Sequence, residues 1–359
     1  MSEGGATGVL AAMRGQWASM TGMAFMFVST ILIGLSVQPI YNIPEARAFG
    51  EEGASKGAFV ALELAMIGVF TIVIIWLARR GLDFFIKAIV LFALWMSLFY
   101  AVQPYVALIL YFLGLDTLYV VALLSIVISS GSIYLLHIFP EWYVVNGVGI
   151  MVGAGVITLI GVSFVPVLII AFMIAAAIYD YWAVNGSKHM LELADTMIDL
   201  KLPVLLVAPK NTDYSFIEQD DSVMRDKEIE VTKMDWDDPV PHIKKEGGPT
   251  KGRDALFMGL GDVIFPGMLV ISSVSFLPQT GGEVTYFSAF GVMYADSLTV
   301  AMGTLFGGLL GYFALMTQVA RGKPQAGLPL LNGGSILGYL VSGYFALGIG
   351  NLWQDITFF

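Results

Sequence analysis

Residues 165–180 read Val165-Pro166-Val167-Leu168-Ile169-Ile170-Ala171-Phe172-Met173-Ile174-Ala175-Ala176-Ala177-Ile178-Tyr179-Asp180, and a later stretch reads Gly259-Leu260-Gly261-Asp262. The first is an apolar run that closes on an acid. The second sets an acid inside another apolar run, residues 254–278. Crossing the hydrocarbon core of a bilayer takes about 20 apolar residues in a helix. An ionisable side chain in such a helix costs free energy, so it marks a functional candidate. The two stretches together predict membrane-spanning helices that carry two carboxylates.

Working outward with the same ruler predicts nine spans, at about 17–40, 57–78, 84–111, 117–138, 142–161, 163–184, 254–278, 295–319 and 327–351. The fold class is therefore an all-α polytopic membrane protein of nine transmembrane helices. Pro104 is expected to kink or end the third, overlong span. The organisation is residues 1–184 for spans one to six, 185–253 for a hydrophilic loop, and 254–359 for spans seven to nine. Composition agrees: 57% of the 359 residues are hydrophobic and 13% are charged, about half the charge of a soluble domain. Mean hydropathy is +0.79. Met1–Gln16 holds one cation, Arg14, and a long apolar stretch follows, so it reads as the lead-in to a first span and not as a cleavable signal.

The net charge of −10 and the lack of basic clusters with interleaved aromatics exclude a nucleic-acid partner. With no cysteine there are no disulfides, thiolate metal sites or cysteine nucleophiles. His137, His189 and His242 are too scattered for the H-E-x-x-H pair of a zinc protease. Ser132 stands five residues before His137 on one span, a poor facing geometry for a serine–histidine dyad. No metal or other cofactor is expected. Glu63 reads as a packing or capping acid, and Asp296 as lying near the outer end of span eight.

The loop carries Gln219-Asp220-Asp221 and Asp235-Trp236-Asp237-Asp238 and reads as a solvated lid or regulatory insert. Before it turns acidic, Met190 to Ile198 suggests a short amphipathic helix, and Pro203-Val204-Leu205-Leu206-Val207 a strand. A free strand edge there could pair with an extended substrate, or the stretch could be a surface hairpin. Outside the long loop, six cations fall on the N-terminal side of the spans and two, Arg47 and Lys56, on the other. The positive-inside rule then places the N-terminus and long loop in the cytoplasm and the C-terminus outside the cell membrane.

Spans six and seven flank the loop, so Asp180 and Asp262 meet at similar depth on neighbouring antiparallel helices. Ala176, Ala177, Gly259 and Gly261 let the backbones approach closely, and Pro266 loosens the helix beyond Asp262. Two carboxyls a few ångströms apart share a proton. The ionised one can take a proton from attacking water while the protonated one polarises an amide carbonyl. The same pair could instead carry protons or cations, and from the pair alone transport stands first.

At these residues the chain resembles the Gly-x-Gly-Asp intramembrane aspartyl proteases, the presenilin and signal peptide peptidase superfamily, and most closely its archaeal members. That family pairs Tyr-Asp on the sixth helix with Gly-x-Gly-Asp on the seventh, matched by Tyr179-Asp180 and Gly259-Leu260-Gly261-Asp262. Its ninth helix opens with Pro-Ala-Leu; here Ala326-Gly327-Leu328 replaces the triplet and Pro329 follows. Pro140-Glu141-Trp142-Tyr143-Val144 and the stretch from Pro209 to Phe216 are also similar to archaeal members. The resemblance implies a presenilin-like fold with its long cytoplasmic loop between helices six and seven. It implies Asp180 and Asp262 as catalytic residues, supported by Tyr179, Gly259, Leu260, Gly261, Ala326, Gly327, Leu328 and Pro329. The expected substrates are transmembrane peptides or leftover signal peptides in a lipid bilayer, with no obligate protein partner. A proton- or cation-coupled transporter and a prepilin-type peptidase remain as alternatives. Ala326 to Pro329 is expected to form the irregular start of span nine, extended or turn-like and facing both aspartates, with Leu328 packed on the carboxylates.

Overall fold

A computed structural model describes residues 3–115, 117–183, 205–210, 255–285, 288, 290–319 and 326–357. The expected helix of residues 190–198 and the acidic loop lie outside the described residues. Among the described residues, nine helices of 17 residues or more follow one another. They are α1 (Glu3–Tyr41), α2 (Gly57–Arg79), α3 (Asp83–Phe112), α4 (Leu118–Ile138), α5 (Trp142–Gly161), α6 (Pro166–Trp182), α7 (Leu260–Phe276), α8 (Ala295–Val319) and α9 (Leu328–Ala346). Six, namely α1 to α5 and α8, are long and apolar enough to cross a membrane; α6 and α7 are apolar but shorter.

Local chemistry sets the ends. At the end of α3, Gly114 takes a left-handed φ of 67°. The Leu115 amide then reaches back to the Leu110 carbonyl at 2.9 Å, a closure that glycine adopts without steric cost. Pro166 opens α6 at a first-turn position, where its missing N–H leaves no helical bond unmade. Pro104 does not end α3, which runs on to Phe112. A proline strips the carbonyl four residues earlier of its donor. That carbonyl, of Tyr100, accepts the Tyr41 hydroxyl from α1 instead, so the freed group is satisfied by a neighbouring helix.

Helix α5 is central: 61% of its span is buried, against 11% for α2 and 17% for α4. The outer two therefore leave most of their apolar side chains exposed on the outside of the bundle. Small residues bring α5 close to its partners. A Cβ at Gly153 would meet Thr30 of α1 and Leu260 of α7, and one at Gly155 would meet Ser97 and Ala101 of α3. Helices α8 and α9 touch backbone to backbone, with Gly307 against Gly334 and Gly338, and Gly311 against Leu330. Small-residue contacts of this kind let helices associate where no hydrophobic force drives them together, and they fix where α9 begins.

The seventh span departs from expectation. Residues 255–259 are not helical; they form strand β2 (Ala255–Gly259), antiparallel to β1 (Leu205–Pro209) with Leu205 opposite Gly259 and Pro209 opposite Ala255. The expected strand is present from Leu205 onward, but the middle of its outer edge is not free. The Asn146 side chain of α5 donates to the Val207 carbonyl at 2.7 Å and accepts from the Val207 amide at 2.8 Å. Ser19 of α1 donates to the Pro209 carbonyl at 2.7 Å. A second ribbon, β3 (Glu283–Val284) with β4 (Met293–Tyr294), lies between α7 and α8. Asp296 in the first turn of α8 accepts the Thr280 hydroxyl at 2.7 Å beside it. The ninth helix ends at Ala346, short of residue 351, and a 3-10 turn, Ile349–Leu352, follows.

Candidate active site

Strand β2 runs directly into α7, and the turn between them places Asp262. Gly259 is the N-cap of α7, with φ −60° and ψ 137°, so Leu260, Gly261 and Asp262 are its first three helical residues. A carboxylate at the third position can reach back to the N-cap amide, as the acid of a capping box does. The Gly259 amide does interact with Asp262 in this way. The start of a helix also favours negative charge through its unpaired amides. The Gly-x-Gly-Asp stretch is thus a strand-to-helix junction and not the interior of a span.

Asp180 sits near the end of α6 and is buried, at 7% exposure. One Asp180 carboxylate oxygen, Oδ2, accepts the Leu328 amide of α9 at 3.1 Å, and the Gly327 amide also bears on it. On the other side, a Cβ built on Gly327 would stand 3.1 Å from Oδ2 of Asp262. The two carboxylates therefore converge on one dipeptide, Gly327-Leu328, and lie close enough to interact electrostatically.

The expected support residues divide. Gly259 and Gly327 adjoin the Asp262 carboxylate directly. Gly261 is exposed with open space where a Cβ would go. Leu260 is buried against Gly153 of α5 and anchors the strand-to-helix junction. Tyr179 is 45% exposed, its ring 6.2 Å from that of Trp182. Ala326 precedes the helix and is half-buried.

Of the extended and turn-like forms expected for the start of α9, the turn-like one is present. Gly327 already has helical angles, φ −78° and ψ −43°, and Pro329 occupies the first turn of the helix that begins at Leu328. The proline ring fixes φ near the helical value and lacks only a donor the first turn would not use. Leu328 meets Asp180 through its main-chain N–H.

Two asparagines were passed over in the sequence because neither is ionisable. Asn332, one turn beyond Leu328, is buried and donates to the Met173 carbonyl of α6 at 2.9 Å. It ties α9 to α6 two turns from Asp180. Asn146 holds the strand that leads, through β2, to Asp262. Their one signal was an amide side chain in an otherwise apolar helix.

Beside Asp262 lies a cavity of about 110 Å³. Met23 of α1, Met258 of β2 and Leu315 and Met316 of α8 line it together with Asp262 and Gly327. Among the described residues, no group of three or more His, Cys, Asp or Glu side chains could hold a metal ion. His137 is exposed in the last turn of α4, and the Ser132 hydroxyl donates to the Ile128 carbonyl at 2.8 Å, so these two do not form a dyad.

Comparison with known families matches residues 23–349 to the signal-peptide peptidase, presenilin aspartyl protease family. Two solved structures, both of a presenilin family intramembrane aspartate protease in different crystal forms, resemble the fold. The first is 26% identical, covering 92% of this chain and 100% of that one, with a TM-score of 0.56. The second is 27% identical, covering 90% and 97%, with a TM-score of 0.55. Comparison with curated proteins gave no match.

Proposed function

Because the chain belongs to the signal-peptide peptidase and presenilin aspartyl protease family and is embedded in a membrane, we propose that it is a protease of the Gly-x-Gly-Asp type. On this reading Asp180 and Asp262 hydrolyse peptide bonds within transmembrane helices or remnant signal peptides. The observation that carries the reading is the convergence of both carboxylates on Gly327-Leu328 at the start of α9.

One carboxyl of the pair is ionised and takes a proton from water as the water oxygen attacks the amide carbon. The other is protonated and hydrogen-bonds the amide oxygen, which carries the developing charge of the tetrahedral intermediate. The proton taken from water then passes to the leaving nitrogen, the C–N bond breaks, and a carboxylic acid and an amine result. The Leu328 amide fixes the rotamer of Asp180, and the Gly259 amide that of Asp262, so the pair is oriented before substrate arrives. No metal or cofactor enters the scheme.

A helical substrate hides its amide bonds, so the segment to be cut must unwind where protein, and not lipid, can satisfy the freed groups. The non-helical backbone of strand β2, residues 255–259, directly before Asp262 supports such a place. We also assign the N-terminus and the 185–253 loop to the cytoplasm and the C-terminus to the outside, on the cation distribution. The protein acts on single transmembrane peptides in the bilayer without an obligate partner.

The test reconstitutes purified protein in lipid vesicles with a labelled transmembrane peptide. Cleavage that resists chelators and serine reagents but yields to a hydroxyethylene mimic of the tetrahedral intermediate is expected. Ion flux across the vesicles that ignores the mimic, with no peptide product, would favour the transport reading.

A further inference from the structure

We propose that the cavity beside Asp262 receives the side chain of the substrate residue flanking the scissile bond. It would select an aliphatic side chain of leucine or methionine size, and Leu315 and Met316 of α8 would set the upper limit. This rests on the proteolytic reading above and adds which peptide bonds are cut.

The position makes the argument. Asp262 and Gly327 belong to the cavity wall, so a group filling it lies within one residue of the amide held by the carboxylates. The wall otherwise comes from three separate elements, α1, β2 and α8. Met23, Met258, Leu315 and Met316 are each at most 7% exposed, while Leu256, Phe257 and Val319 on the same wall are half-buried, so the cavity is partly enclosed by the packed core.

Size sets the occupant. A volume of about 110 Å³ is between three and four times the roughly 30 Å³ that a water molecule occupies in the liquid. That is the bulk of a four-carbon side chain, and it is below the roughly 150 Å³ recess that accepts a benzene ring. An indole does not fit without displacing the wall. Chemistry narrows the class further: apart from the Asp262 carboxylate, the named side chains offer no strong hydrogen-bond partner. A carboxylate side chain would enter beside that of Asp262 and meet no cation among the lining residues. Methionine side chains adjust to irregular shapes, so leucine, methionine and isoleucine should all be accepted.

The experiment uses the full-length protein in vesicles and transmembrane peptides that differ only at the residue on either side of the mapped cleavage bond. Leu, Met, Ala, Phe, Trp and Asp are compared at each side by product mass spectrometry. Wild type should cut the Leu and Met peptides at least about tenfold faster than the Ala peptide on one side of the bond, since one methylene in an apolar pocket is worth roughly 10–200-fold. The Trp and Asp peptides should be poorest. Leu315→Phe, which fills the recess, should move the preference to Ala. Met316→Ala, which enlarges it, should raise Phe over Leu.

Thermal melting separates a loss of fold from a change of preference, and the wild-type profile decides even if one variant does not fold. If wild type cuts peptides with no size preference on either side, or if both folded variants keep its preference, the assignment is overturned. If wild type cuts none of the peptides, it is the proteolytic reading that fails.

Discussion

Replacing Gly327 by alanine should separate activity from stability. The added Cβ would stand 3.1 Å from Oδ2 of Asp262 and 3.3 Å from its Cγ and Oδ1. Ordinary carbon contacts lie at 3.4–4 Å, so the carboxylate must give way by a few tenths of an ångström. Misplacing a catalytic group by about 1 Å costs on the order of 100-fold in rate. A third of that displacement, scaled linearly in free energy, gives a loss of roughly fivefold in kcat, or about 1 kcal/mol. Stability should move the other way. The Gly327 backbone is right-handed and helical, a conformation alanine adopts freely. Removing a glycine there restricts the unfolded chain and stabilises by about 0.4–1 kcal/mol. Gly327→Leu adds three more carbons at the same point and should lower kcat by more than about 100-fold, again without unfolding. The assay is turnover of one transmembrane peptide beside a thermal melt in the same detergent. Wild-type turnover by Gly327→Leu, or activity and stability falling together in Gly327→Ala, would refute the placement of this glycine against the carboxylate.

Asn146→Leu leaves the buried Val207 amide and carbonyl without their partners and should destabilise by about 2–4 kcal/mol; denaturation within about 0.5 kcal/mol of wild type would show that the strand is held otherwise. Asn332→Leu removes the tie from α9 to the Met173 carbonyl, at a cost of about 1 kcal/mol, and should lower kcat while leaving KM for the peptide near wild type. A raised KM at full kcat would contradict its positioning role. The rate should be bell-shaped in pH, because one carboxyl must be ionised and the other protonated, and the two limbs belong to the pair and not to either residue. A profile flat from acid to strongly alkaline conditions would require another catalyst.

How far the sequence spoke depended on whether a feature is local. A long apolar run announces a membrane helix by length alone, and α1 to α5 and α8 lie where such runs predict them. The same ruler swept residues 255–259 into the seventh span, because Ala255-Leu256-Phe257-Met258 is apolar whether helical or extended. What makes it a strand is pairing with Leu205–Pro209, some 50 residues earlier, which no local window contains. That α3 does not end at Pro104 was hidden for the same reason, since the Tyr100 carbonyl that the proline leaves without a donor accepts the hydroxyl of Tyr41, on another helix. Asp180 and Asp262 stand out in the sequence because charge in an apolar run is conspicuous. Asn146 and Asn332 do not, since an amide in such a run is common and its meaning lies in the carbonyl it reaches. The turn at Ala326 to Pro329 was placed against the carboxylates by resemblance, and its helical conformation follows from Pro329 in a first turn.

The central claim is that Asp180 and Asp262 act as one catalytic unit. Its most direct test is the rate at which purified Asp180→Asn and Asp262→Asn cut a transmembrane peptide in lipid vesicles, measured beside wild type by product mass spectrometry. Each substitution keeps the shape of the side chain but removes the ability to share a proton. The account predicts cleavage by wild type and none above background by either variant, both melting as folded proteins. Substantial cleavage at the same bond by either single variant would contradict it.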